Sequence, residues 1–433
     1  MRNSLILGAY RTAGRVLAPT ASLILARRIQ RGKEDPERRD ERLGHPSSER
    51  PDGPLIWVHG ASVGETLAVL PLIERIREAG PMVLLTTGTR TSAKLAAERV
   101  GEGVIHQYVP LDFVPFVDRF LDHWRPDLAI FVESEIWPSI TAGLRRRSIP
   151  QVLVNGRMSE RSYRRWQKSR GAIEELLGGL SLCLAQTGSD GDRFLALGAP
   201  RVGISGNIKY DVPPPDADEA ALSALAGEIG ARHVWLAAST HPGEEATILR
   251  VHRALRKHLP SLLTIVAPRH PHRGGEVAGI ADEIGLKTRL RSASETIEAE
   301  TDIYVADTIG ELGLFYRLVP VAFVGGSFIP HGGQNPIEPA KLATVVLHGP
   351  HVHNFDEVYR SLDGTGGAIM VETPEQLAKA AGSLFVHPDE QKRRSLAGAK
   401  GLEPFLGALE RTVEALQPFL TPLALQTRLE GRG

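Results

Sequence analysis

Two groupings of carboxylates in the first half of the chain have the spacing of catalytic machinery. Trp57-Val-His-Gly-Ala-Ser-Val-Gly-Glu65 joins an apolar run to a small-residue turn that ends on an acid. Gly60 and Gly64 permit close approach of a substrate, and Glu65 at such a turn can act as a general base on a hydroxyl. Ser62 and Glu65 also have the spacing of a capping box, in which the glutamate serves only the helix start. Phe131-Val-Glu133-Ser-Glu135-Ile-Trp137-Pro138 sets two acids around one residue. They can bind hydroxyls, orient Glu65, or cap a helix that Pro138 starts. Thr86-Thr-Gly-Thr-Arg90-Thr-Ser92 collects hydroxyls, amides and one cation, which suits a phosphate or sugar carboxylate and equally a capped helix. Gly206-Asn-Ile-Lys209-Tyr-Asp211 puts a cation beside a proline-rich stretch, from which two domains would be within its reach.

The second half is richer in phosphate chemistry. Ser239-Thr-His-Pro-Gly-Glu244 reads as a turn opening a helix through Pro242, and Pro268-Arg269-His270-Pro271-His272-Arg273 offers a guanidinium for bidentate phosphate contact. Asp307-Thr-Ile-Gly310-Glu311 has capping-box spacing between Thr308 and Glu311. Gly325-Gly-Ser327 and His331-Gly-Gly-Gln-Asn335-Pro336-Ile-Glu338-Pro339 follow. Glycines let backbone approach a phosphate, Pro336 at a first helical position pre-orders a positive helix end, and Glu338 can cap that helix or bind ribose hydroxyls. Several such turns in one domain point to a nucleotide. No metal is expected, because His270 and His272 alternate sides when extended and no HExxH accompanies them.

Parallel sheets must position these turns. Apolar runs at 55–59, 82–86, 128–132 and 151–154, then at 234–238, 263–267, 302–306, 321–324 and 344–348, alternate with helical patterns. Asp211-Val-Pro-Pro-Pro-Asp216 separates the two series as an extended linker. The expected architecture is α/β: two doubly wound, Rossmann-like domains facing across a cleft and hinged near residue 213, with ligands beyond the carboxyl ends of the strands. Residues 1–31 hold Arg2, Arg11, Arg15, Arg27, Arg28 and Arg31 without an acid, interleaved with apolar residues. Arg11, Arg15 and Pro19 interrupt the apolar stretch, so the segment reads as lying on a membrane surface or packing as an ordinary amphipathic helix. Lys33 to Arg50 reads as a solvated connector or exposed turns, and the six basic residues from Arg157 to Arg170 as a solvated helix face or a contact for phosphates.

Composition sets the outer bounds. At 433 residues, 42% hydrophobic and 24% charged, the chain is that of a multidomain globular protein rather than a disordered or fibrous one. Its 51 basic and 51 acidic residues balance, which argues against a chain-wide nucleic-acid-binding surface. One cysteine, Cys183, excludes an intrachain disulfide and a cysteine-held zinc or iron–sulfur centre.

Taken together, HGASVGE (59–65), VESEIWPS (132–139), GNIKYD (206–211), PRHPHR (268–273), DTIGELG (307–313) and VGGSFIPHGGQNPIEP (324–339) resemble the Kdo (3-deoxy-D-manno-octulosonic acid) transferases of lipid A assembly. The resemblance runs to about residue 415. It implies a GT-B glycosyltransferase with a membrane-associating segment 1–31, an acceptor domain 32–212, a CMP-Kdo-binding domain 213–415 and a tail 416–433. It further implies an inverting, metal-independent enzyme without a cofactor. That enzyme would sit on the cytoplasmic side of the inner membrane and move Kdo from CMP-Kdo to the tetraacylated lipid A precursor. By position, Glu65 would be the base, with Ser62 beside it, and Glu133 would support the acceptor or sugar. Arg90 and Lys209 would face the Kdo carboxylate or an acceptor phosphate, while Arg269, His270, Gly310, Gly325, Ser327, Asn335 and Glu338 would surround CMP. His272 stands where the family pattern has Glu, and the first acidic motif reads ESE rather than ETE. A nucleotide-sugar epimerase of the same fold and a non-catalytic, membrane-associated nucleotide-binding module are the competing expectations, and a dinucleotide dehydrogenase lacks its GxGxxG.

Overall fold

The computed structural model describes residues 5–430, so Arg2 and the last residues of the expected tail lie outside the described residues. The chain forms two compact units, one running to Val212 and resumed from Leu406 onward, the other Pro213–Phe405. Each is organised around a parallel sheet.

In the first unit the strands are β1 (Leu55–Gly60), β2 (Met82–Thr87), β3 (Val104–Tyr108), β4 (Leu128–Val132), β5 (Gln151–Gly156), β6 (Leu182–Ala185) and β7 (Val202–Ile204), in the order β3-β2-β1-β4-β5-β6-β7. Alternate residues of β1 face opposite layers. Ile56 and Val58 pack with Val69 and Leu72 of the helix Val63–Ala79, whereas Leu55 and Trp57 pack with Phe120 and Trp124. Burial on both faces is why the strand is apolar without interruption. Returning from β3 to β4 on the far side of β1 creates a switch point between β1 and β4, where a crevice opens beyond the strand ends.

The second unit repeats the plan with β8 (Val234–Thr240), β9 (Leu263–Pro268), β10 (Thr288–Leu290), β11 (Ile303–Val305), β12 (Val321–Val324), β13 (Val345–His348) and β14 (Ala368–Met370). Their order is β10-β11-β9-β8-β12-β13-β14, with its switch point between β8 and β12.

Three expectations change. The helix Ala408–Glu430 buries Ala408, Val413, Leu416 and Leu420 in the same cluster as Ile56 and Val58, so the chain from 406 onward belongs to the first unit rather than closing the second at 415 and trailing off. Asp211 secures the return by accepting from the Gly407 and Leu409 amides at 2.7 and 2.5 Å. The stretch from Lys33 to Arg50 is not merely a solvated connector. Arg42, 4% exposed, donates to Glu34 at 3.1 Å and to the Val109 carbonyl at 3.0 Å, and Arg38 and Arg42 lie over the Tyr108 ring. Charge density here marks an internal brace, because each buried guanidinium has its acid or carbonyl. Pro336 does not take the first helical position but stands just before it, at the cap position of a helix of five residues, Ile337–Lys341. By contrast, the helix Glu160–Gln167 exposes Arg161, Arg164 and Arg165 to solvent and rests on the core only through half-buried Tyr163 and Trp166.

The amino-terminal segment forms two helices, Leu5–Leu17 and Ala21–Gln30, joined by a 3-10 turn over Ala18–Thr20. Leu7, Ala18, Ala21 and Leu25 are buried, while Leu5, Ile6, Val16, Leu17, Leu23 and Ile24 remain exposed. Among the described residues no helix is long and apolar enough to cross a membrane.

Candidate active site

At the switch point of the first unit, the turn after β1 holds Glu65 in the first turn of the helix Val63–Ala79. Ser62 caps that helix, accepting from the Glu65 amide at 3.3 Å and donating its hydroxyl to Glu65 Oε1 at 2.7 Å. Glu65 Oε2 accepts from the Ala61 amide at 2.8 Å, one residue earlier than a capping box requires. Each carboxylate oxygen thus carries one protein hydrogen bond and keeps acceptor capacity for a substrate proton. The capping and catalytic readings are compatible, because the same bonds fix the rotamer of the carboxylate without filling its lone pairs.

Glu133 directly follows β4 with φ at 62°, the left-handed region that a non-glycine residue rarely enters. Its amide still continues the ladder to Val154 O at 3.0 Å, so the twist falls on the side chain, which forms an ion pair with Lys209. Strain of this kind is retained where the surroundings over-determine it, commonly at functional sites. Lys209 lies in the 3-10 turn Ile208–Tyr210, whose cap Asn207 accepts the Lys209 amide at 3.1 Å. Its ammonium comes within 3.6 Å of where a Cβ on Gly64 would sit, which brings Lys209, Glu133 and the Glu65 turn together. Glu135 turns the other way. It accepts from Trp137 Nε1 at 2.7 Å and lies 3.5 Å from His59 Nε2. Burial alone would raise its carboxyl, but His59 and Trp137 outweigh this and hold it below the ordinary value. Arg90 has a different setting: it donates to the Gly32 carbonyl at 3.2 Å and lines a cavity of about 420 Å³ with Asp35, Arg38, Lys94 and Tyr108.

In the second unit, Arg269, His270 and Gly310 line one cavity of about 400 Å³, with Ser239, Thr308, Ile309 and Phe315 among its other walls. The apolar walls, Ile309 and Phe315, were not singled out by the sequence. Thr308 donates its hydroxyl to Glu311, but the helix there starts at Leu312 and Glu311 is held by Arg291 at 2.6 and 3.0 Å, so no capping box forms. Asn335 donates to Glu338 at 3.0 Å and accepts from the Ile337 amide at 3.0 Å. Burial raises the Glu338 carboxyl, against the opposing pull of Asn335, Arg269 and Lys341.

Gly325 and Ser327 are positioned differently from a free phosphate loop. A Cβ on Gly325 would lie 2.5 Å from the Ser239 carbonyl, so the glycine serves strand packing. Ser327 is fully buried, donating to Val324 O at 2.5 Å and accepting from the Gly349 amide at 2.9 Å. Its own amide, with those of His241, Gly326 and Phe328, is taken by the Glu244 carboxylate at 2.7 to 3.1 Å. Glu244 is the residue that sequence reasoning passed over. Its signal was the Gly-Glu ending it shares with the Glu65 turn.

A family model described as 3-deoxy-D-manno-octulosonic-acid transferase (kdotransferase) matches residues 37–212. The 3-deoxy-D-manno-octulosonic acid transferase of Haemophilus influenzae is 36% identical over 383 residues, covering 87% of this chain and 89% of that protein. The chain belongs to the Kdo transferase family. The enzyme is therefore a glycosyltransferase, and the epimerase and non-catalytic readings fall away. A glycosyltransferase from Rickettsia africae, 11% identical with a TM-score of 0.59, covers 86% of this chain and 99% of its own and shares the two-sheet fold. The C-terminal CMP-Kdo binding domain of WaaA from Acinetobacter baumannii is 32% identical with a TM-score of 0.41, covering 42% of this enzyme and 97% of that chain.

Proposed function

We propose that this Kdo transferase takes Kdo from CMP-Kdo and attaches it, with inversion and without a metal, to a hydroxyl of the tetraacylated lipid A precursor. The observation that carries the reading is Glu65, a nearly buried carboxylate with one hydrogen bond on each oxygen and Lys209 against its turn. Glu65 takes the proton of the acceptor hydroxyl while that oxygen attacks the anomeric carbon of Kdo from the face opposite CMP. The carbon–oxygen bond to the phosphate breaks, its electron pair leaves on CMP, and the nucleotide departs as an anion that needs no acid. One carboxylate then suffices for the step. Glu133 and Lys209 are a matched pair for orienting a polar, anionic sugar or acceptor, with Arg90 as a further cation toward acceptor phosphate.

In the second unit, the cavity of Arg269, His270 and Gly310 supports nucleotide binding, with Arg269 as the phosphate contact and Glu338 for ribose hydroxyls. Gly325 and Ser327 contribute by shaping the backbone. The exposed apolar side chains of the two amino-terminal helices, interleaved with arginines, support attachment to the cytoplasmic face of the inner membrane, where the acceptor resides.

The test is transfer from freshly made CMP-Kdo to tetraacylated lipid A precursor in the presence of EDTA, with products counted by mass spectrometry. One or more Kdo additions support the reading, and a requirement for added divalent metal overturns the metal-free mechanism. CMP binding without product overturns the acceptor. Deletion of residues 1–30 is expected to abolish co-sedimentation with anionic vesicles, and unchanged binding overturns the membrane assignment.

A further inference from the structure

Four imidazoles gather at the carboxyl ends of the second sheet. His241 follows β8, His270 and His272 follow β9, and His331 lies in the loop after β12, so the group straddles the switch point between β8 and β12. The ring centroids of His241 and His331 are 4.0 Å apart, those of His241 and His270 6.2 Å, and those of His270 and His272 5.7 Å. The backbone is shaped to admit them: a Cβ on Gly326, whose φ is +68°, would lie 3.1 Å from a His331 ring carbon and 3.4 Å from one of His241. His241 Nε2 is 3.0 Å from Gln334 Nε2. An amide nitrogen only donates, so the ring nitrogen accepts and His241 is neutral.

The charges around the group leave it poised toward an anion. Arg269 and His270 line the adjoining cavity with Ser239. The acids nearby are already committed: Glu244 to four amides, Glu245 and Glu276 to Arg273, and Glu338 to Asn335. Burial, then His331, His270, Arg269 and Arg273, push the His241 imidazole down to about 4. The neighbouring rings and guanidiniums thus oppose protonation of His241, and a phosphate placed beside it reverses the sign of that interaction.

We propose that His241, His270 and His331 form an anion-recognition element that takes up a proton from solvent when a phosphate ester enters the cavity of Arg269 and His270. The inference rests on the CMP-Kdo reading above. Charge supplied with the ligand spares the empty enzyme a cluster of unpaired cations. It also means that CMP, a monoester with one more ionisable oxygen than the donor's diester, is held more tightly as pH falls.

The experiment is calorimetric titration of CMP, and separately of cytidine, into the full-length enzyme at pH 7.5 in two buffers of different ionisation enthalpy. The second phosphate proton of CMP, with a pKa of about 6, is largely gone there, and any further loss on binding has the opposite sign to uptake. Proton uptake with CMP and none with cytidine is expected, with the Kd for CMP weakening by roughly threefold to tenfold per pH unit above neutrality. The double variant His270→Asn/His331→Asn, which alters two exposed rings, should lose the uptake and flatten the pH dependence. CMP binding without uptake, or uptake undiminished in the double variant, overturns the inference alone. Absence of CMP binding by enzyme with unchanged circular dichroism overturns the CMP reading and this inference with it.

Discussion

After β1 the chain turns through Gly60 to Glu65, and after β8 it turns through Ser239 to Glu244; both turns finish on Gly-Glu beside a switch point. The polar groups beneath are arranged alike, although His59 stands on β1 and His252 on the helix Glu245–Arg256. Trp57 Nε1 donates to Thr86 Oγ1 at 2.8 Å and His59 Nδ1 meets the same hydroxyl at 2.9 Å; Trp235 and His252 meet Thr264 Oγ1 at 2.7 and 2.8 Å. On this common base the glutamates diverge. Glu244 is 1% exposed and accepts four backbone amides, whereas Glu65 accepts one amide and one hydroxyl. A glutamate after the first strand of each series thus organises a loop where its lone pairs are filled and keeps acceptor capacity where they are not, which is what the proposed base needs. Satisfaction of the carboxylate, rather than its presence, separates the roles.

The largest expected effect falls on Glu65. Glu65→Gln keeps one oxygen to accept from the Ala61 amide and turns an NH2 toward the Ser62 hydroxyl, but removes the proposed base, so kcat should drop by about 10²–10⁴-fold with CMP affinity and folding little changed; retained turnover would break the contrast. Glu244→Gln is the reciprocal test. An amide group offers its NH2 where two backbone N–H groups now find an oxygen, so the second unit should lose roughly 3 kcal/mol, read as an earlier midpoint in urea. A variant as stable as the parent would mean that the four bonds do not organise the loop. Lys209→Met should cost about tenfold to a hundredfold in kcat/KM and little in stability, because the Glu133 pair is partly exposed and its value lies in orientation. The smallest effect sharpens the shared base: Trp57→Phe and Trp235→Phe each remove one buried hydrogen bond and should destabilise by a similar ~1–3 kcal/mol. Unequal losses in denaturant melts would show that the two sheets differ below their turns as well.

The sequence was readable wherever a strand is long and buried on both faces. All nine apolar runs fall on strands, and the five that escaped, β3, β6, β7, β10 and β14, are short or polar, such as Val104-Ile-His-Gln-Tyr108. Glu65, Glu133 and Lys209 were visible because their motifs carry them into one turn region. Glu244 was not, since three of the four amides it accepts lie more than 80 residues away. For Gly325 to Ser327, glycine content reports backbone freedom, not which acceptor the amides meet, and here Glu244 takes the Gly326 and Ser327 amides. An amphipathic pattern over 408–430 likewise reveals a buried face without naming the sheet that buries it.

That last helix alters how the polypeptide is made. Because the first unit recovers its final layer only from Ala408 onward, the second unit is an insertion within it. During synthesis the second sheet emerges whole while the first waits, its Ile56 and Val58 face lacking Leu416 and Leu420 until those residues follow. Removal of residues 408–430 therefore falls on the unit that carries Glu65 and leaves every strand of the second unit in place.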